Sequence, residues 1–209
     1  MNDRSRLSNK IRQMCRAIHW VLGTSLIVVL IACAEEVVTE RGPSMQLPST
    51  KNGEYFQVYV ETALGSHHLL NYRVGDEILD TLFETDIILP LPVNAGFIPL
   101  RSQDSLIKIR SWIIGKRMEP GDTLTVRIIG LIKYQLDELQ HQDLVVVPVE
   151  DHLATVAVQR FRDFIIGYDP VKFSFEYWLR NHRGRGSLTQ LAWEDEEQAS
   201  AYLNNLLQD

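Results

Sequence analysis

A chain of 209 residues that is 45% hydrophobic holds enough apolar mass for one ordinary core, so one globular domain with appendages is the expectation. The formal charge is −6, and the first 32 positions hold five of the 21 basic residues but only one of the 27 acids. What remains carries 16 basic and 26 acidic residues, a charge of about −10. It lacks the basic footprint needed to neutralise a phosphate backbone, which sets nucleic acid aside as a partner.

Arg4, Arg6, Lys10, Arg12 and Arg16 precede an apolar run of 16 residues, Ala17 to Ala32, which closes on Leu30-Ile31-Ala32-Cys33. A basic segment, an apolar segment and a small residue before the cut form a secretory signal. The ending resembles that of a bacterial lipoprotein, with the Cys33 thiol taking the lipid. The rival reading is an uncleaved anchor, against which the run falls short of the roughly 20 residues that span a bilayer. Met14 is an alternative start that gives a signal of conventional length. The expected organisation is a signal peptide over 1–32, lipidated Cys33 opening a flexible tether to 53, and a domain over 54–209. Such a protein sits on the bacterial cell envelope, facing the periplasm or the exterior, with the membrane as partner through its lipid. No cysteine follows Cys33, so the domain forms neither an internal disulfide nor a thiolate metal site.

The segment from Ala34 to Gly53 is polar and rich in proline and serine, as a tether is. Tyr55 to Thr62 then alternates and is rich in β-branched and aromatic residues, and Leu69–Arg73 and Glu77–Phe83 flank the turn signal Val74-Gly75-Asp76, so three strands are predicted. Leu106–Ile114 and Thr123–Tyr134 are apolar and are separated by Glu119-Pro120-Gly121-Asp122, which predicts a hairpin. Leu144 to Val149 is nearly continuous in apolar residues, like a strand buried on both faces, with Pro148 marking its end or an edge. From His152 to Ile166 and from Val171 to Asn181 the apolar spacing becomes helical, with Asp169-Pro170 as N-cap and first residue of the second helix. A last helix, about Glu194 to Leu207, opens on four acids that oppose the positive end of its dipole. Strands followed by helices predict an α+β domain, and short strands around one core favour a small closed or partly open antiparallel β-barrel with the C-terminal helices packed outside.

Pro92-Val93-Asn94-Ala95-Gly96-Phe97-Ile98-Pro99, followed by Gln103-Asp104-Ser105-Leu106-Ile107, resembles the run leading into the metal site of family I soluble inorganic pyrophosphatases. Pro120-Gly121-Asp122-Thr123 through Gly130-Leu131-Ile132-Lys133, Leu144 to Val149, Phe161-Arg162-Asp163-Phe164 to Trp178, Asn181-His182-Arg183-Gly184 and Leu191-Ala192-Trp193 are similar to later family segments in the same order. The resemblance runs from about Phe56 to Leu206 and implies the OB-like barrel of that family. In the family, an Asp-Gly-Asp-Pro-x-Asp cluster holds magnesium ions against pyrophosphate. Clustered cations make hydroxide available near neutral pH and offset the charge on the departing phosphate.

Carried over by position, Glu61 matches the acid that ends the first strand and Asp104 the middle acid of the cluster, while Ile107 falls where the last acid would be. Leu69 and Asn71 take the places of a phosphate-binding lysine and a nearby acid, Phe83 or Glu84 that of an arginine, and Ala95 that of a tyrosine. Leu136 and His141 fall on two aspartates and Asp143 on a lysine, with Asp137 displaced by one. His182 and Arg183 replace a tyrosine and lysine, which keeps donors and positive charge. The resemblance thus gives Glu61, Asp104, Asp137 and Asp143 as metal candidates and His182 and Arg183 as phosphate-binding candidates. For each of these the alternative is a solvated charge. No residue is assigned as catalytic, and no other hydrolase motif occurs.

Losing one group that stabilises a transition state costs about a hundred- to a thousandfold in rate, and several are missing. The resemblance therefore implies a pyrophosphatase-like lipoprotein with impaired or no catalysis. It would act as a binding or structural module for pyrophosphate or another small phosphate compound, with homo-oligomerisation left open. The alternative is a magnesium-dependent diphosphatase using a rearranged carboxylate set.

Overall fold

The computed structural model describes residues 55–74, 79–102, 105–136, 138–184 and 188–208. The expected signal, Cys33 and the tether lie outside the described residues, as do Asp104 and Asp137. The described strands are β1 (Tyr55–Thr62), β2 (His68–Val74), β3 (Leu79–Asp86), β4 (Asn94–Ser102), β5 (Ser105–Ile113), β6 (Thr123–Leu136), β7 (Leu139–Pro148) and β8 (Leu188–Glu194). The helices are α1 (Phe161–Gly167), α2 (Asp169–Asn181) and α3 (Glu196–Gln208).

Five strands close a barrel in the order β1-β4-β5-β7-β6, with β6 returning to β1. Every pairing in it is antiparallel except β5 with β7. The 14 residues of β6 are long enough to pair with β1, β7 and then β8, which extends the sheet beyond the barrel. β2 and β3 form a separate hairpin. It is fixed to β1 where the Leu70 amide donates to Thr62 Oγ1 at 2.9 Å. The barrel closes tightly because Gly96 has no side chain: a Cβ there would stand 2.1 Å from the Tyr59 carbonyl oxygen across the β1–β4 pairing.

Alternation along the strands sorts the residues into two layers. Val58, Val60, Ile98, Ile109, Ile113 and Val146 fill the interior, and Ala199 and Leu203 of α3 join them. The opposite faces of β5, β6 and β7 carry Trp112, Ile132, Val145 and Val147, which pack against Phe164 of α1 and Phe175, Trp178 and Leu179 of α2. The ring of Trp112 lies 5.1 Å from Phe175 and 5.7 Å from Trp178, within the range of favourable aromatic pairing.

Four predicted features differ from the structure. The turn over Glu119–Asp122 is present, with Gly121 at φ +100° and the Asp122 amide donating to the Glu119 carbonyl, yet β5 and β6 do not pair. β7 lies between them. Residues 114–122 make a connection longer than the two to five residues that force a hairpin, so the wholly buried run Leu144–Pro148 takes both edges. The predicted helix from His152 shortens to Phe161–Gly167. Asp163 Oδ2 accepts from the Gln159 and Arg160 amides and sets the helix start there, while Val156 and Val158 are buried with the two-residue period of extended chain. Tyr168 rather than Asp169 is the N-cap of α2, and α3 begins at Glu196 because Glu194 ends β8.

Candidate functional site

The face of β5 that looks away from the barrel interior carries Lys108, Arg110 and Trp112, and it sets the chemistry of the cleft below β2 and the end of α2. Lys108 Nζ donates to Glu61 Oε1 at 2.5 Å and to Asn71 Oδ1 at 2.8 Å. Glu61 is only 2% exposed at the end of β1, so the ammonium compensates a buried carboxylate. Burial lowers the Lys108 pKa, against the raising effect of Glu61.

One step further along β5, Arg110 faces Tyr134 and Asp143. Trp112 Nε1 donates to Asp143 Oδ2 at 2.9 Å, and the Tyr134 hydroxyl donates to the same oxygen at 2.6 Å. Burial would lower the Arg110 pKa, but Asp143, Tyr134 and Glu61 hold it above its ordinary value, so the guanidinium stays charged. Asp143 is 4% exposed. Burial pushes its carboxyl upward, while Arg110 and the two donors pull it down. Burial also raises the Tyr134 hydroxyl, with Asp143 adding to the shift, so it remains a donor. Tyr134 stacks on His141, its cross-strand neighbour, with ring centroids 4.9 Å apart.

α2 supplies the opposite wall. His182 caps its C-terminus, is 4% exposed, and stacks on Trp178 at 4.1 Å. Its Nδ1 lies 3.1 Å from both the Trp178 and Leu179 carbonyl oxygens. Carbonyls only accept, so Nδ1 carries the hydrogen and Nε2 the lone pair of the neutral ring. Burial lowers the pKa of this imidazole, and Arg183 and Arg110 lower it further. Between these walls is a cavity of about 120 Å³. Leu69 borders it from β2, Leu136 and Tyr134 from β6, His141 from β7, and Trp178, Leu179, His182 and Arg183 from the α2 end.

The cleft brings together His182, Arg183 and, through Arg110, Asp143. Glu61 is paired with Lys108 rather than with the donors that hold Asp143. Magnesium requires a near-octahedral set of oxygens. Both described carboxylates are already engaged by protein donors, and among the described residues no three His, Cys, Asp or Glu gather as metal ligands. The described residues do not fit a magnesium centre. Asn94, prominent in the sequence resemblance, is structural: its Oδ1 accepts from the Leu64 and Met118 amides and its Nδ2 donates to the Lys116 carbonyl.

Lys108, Arg110, Trp112, Tyr134 and Trp178 were not singled out from the sequence. Their signal is Lys108-Ile109-Arg110-Ser111-Trp112, two cations and an indole at alternate positions of an otherwise apolar strand. Cations on a covered face call for buried acids opposite.

The barrel, its outer helices and the cleft beside α2 define an α+β fold of the pyrophosphatase type. Solved structures similar to it include inorganic pyrophosphatases from three bacteria. That of Neisseria gonorrhoeae has a TM-score of 0.65 at 19% identity, over 78% of this chain and 95% of that one. That of Thermus thermophilus has a TM-score of 0.62 at 16% identity, over 80% and 97%. That of Coxiella burnetii has a TM-score of 0.62 at 18% identity, over 77% and 96%. At such identity the likeness is one of fold. No family model matches the sequence, and no curated protein matches it.

Proposed function

We propose that this chain is a pyrophosphatase-like domain that binds a small phosphate compound without hydrolysing it, tethered to the bacterial envelope through Cys33. The observation that carries the reading is the placement of Lys108 and Arg110 against Glu61 and Asp143. Divalent cations are drawn to a cleft by carboxylates with unbalanced negative charge. Here a fixed ammonium and a fixed guanidinium supply that balance, and the wall of the cleft carries Arg110 and Arg183, whose positive charge favours an anion.

The test is phosphate release from pyrophosphate by the purified chain with magnesium or manganese, alongside calorimetric titration of pyrophosphate and phosphate monoesters in EDTA. The reading expects binding in EDTA and no release above background. Metal-dependent release that Asp143→Asn abolishes would overturn it in favour of a diphosphatase with a rearranged carboxylate set, in which Glu61, Asp104, Asp137 and Asp143 hold the metal. The tether is tested separately by labelled fatty-acid incorporation, expected in the native chain and absent in Cys33→Ser.

A further inference from the structure

Among the described residues, the cavity beside α2 is lined by five aromatic or imidazole rings, four leucines and two arginines. None of these lining residues is a carboxylate, an amide or an aliphatic hydroxyl. Leu69, Leu136, Leu179, Trp112 and Trp178 are buried members of one core cluster, so packing of the core fixes the shape of the wall. Leu139 lines the cavity yet is 65% exposed, and it belongs to the rim.

Polar side-chain atoms on the wall are committed inside the protein. The Tyr134 hydroxyl donates to Asp143, and Nδ1 of His182 lies against two helix carbonyls. The hydroxyls of a sugar placed here would lose water and find few side-chain partners. A flat apolar ring gains from the same surface, because indole and leucine faces offer contact without a competing polar group. At about 120 Å³ the space approaches the cavity of about 150 Å³ that accepts benzene, so one six-membered ring fits.

Resting on the reading that the cleft binds a phosphate compound, we infer that this compound is a monoester of an aromatic alcohol, its ring seated in the cavity against Trp112 and Trp178. The walls then select the alcohol, and the phosphoryl group supplies only the charge. Inorganic pyrophosphate and sugar phosphates leave the apolar wall unused.

The test is calorimetric titration of the intact chain with phenyl phosphate, methyl phosphate and glucose 1-phosphate in EDTA. All three carry the same charged group, so differences among them report the cavity. Phenyl phosphate is expected to bind ~10-fold or more tightly than methyl phosphate, from the apolar area its ring buries, and glucose 1-phosphate no more tightly than methyl phosphate. Leu139→Ser, a change at the exposed rim, should narrow the preference by weakening phenyl phosphate and leaving methyl phosphate as it was. Equal affinities for phenyl and methyl phosphate in the native chain would overturn the inference, and so would glucose 1-phosphate binding as tightly as phenyl phosphate. Either result leaves the phosphate-binding function standing. Failure of all three esters to bind would overturn that function and the inference together.

Discussion

The two faces of β5 are built on different physical principles. Inward, Ile109 and Ile113 join a core of aliphatic side chains whose stabilisation scales with the area removed from water. Outward, Lys108, Arg110 and Trp112 enter a network in which each polar group depends on a specific partner. The interior tolerates exchange of one hydrocarbon for another of similar volume, whereas the outer face is sensitive to the loss of any single member. The inner side of the strand is thus held by buried area alone, and the outer side by buried area together with specific polar partners.

The comparison is broken most severely at the barrel seam. Gly96→Val puts a side chain into the Tyr59 carbonyl, and the expected outcome is loss of the cooperative unfolding transition seen by circular dichroism. On the outer face, Asp143→Ala leaves Arg110 buried without its counter-charge and should cost about 3–5 kcal/mol in urea unfolding. The double change Arg110→Met with Asp143→Leu should recover most of that loss. A double change as unstable as Asp143→Ala alone would show that the network is part of the core rather than an addition to it.

A smaller effect separates the faces by pH. Burial, with Arg183 and Arg110, holds the His182 pKa below its ordinary 6.5, so the unfolded chain takes up the proton first. The stability this residue contributes is present above about pH 6.5 and is lost as the pH falls through the folded value. Urea midpoints of the native chain should drop on acidification by more than those of His182→Phe. The smallest effect belongs to the surface: Arg117 and Glu119 are paired at 3.2 Å with both side chains largely exposed, and Glu119→Gln should shift stability by no more than about 0.5 kcal/mol.

Much of the fold is written in local pattern. The alternation of Tyr55–Thr62 and the unbroken apolar run before Pro148 specify β1 and β7 because burial on one face or on two leaves different periods. The partner of β5 is not written that way, since a turn at Gly121 fixes only where the chain reverses and not which strand fills the gap. β8 is also faint: Leu188–Glu194 is half exposed and owes its strand state to pairing with β6. At the candidate site, the sequence offers His182 and Arg183 only through their place in a familiar order of segments. The role of Asp143 depends on Tyr134, nine positions earlier, and on Trp112, 31 positions earlier, and only the folded barrel brings these together.

The placement of β7 bears on how the protein is made. Until residues 139–148 have emerged, β5 and β6 each present an unmatched edge to the surroundings. Nascent chains truncated before residue 139 should self-associate through these edges, and chains extended past Pro148 should not. The tenth of a second or more that a ribosome takes to add a few residues thus becomes a window in which a sheet-binding chaperone has something to hold.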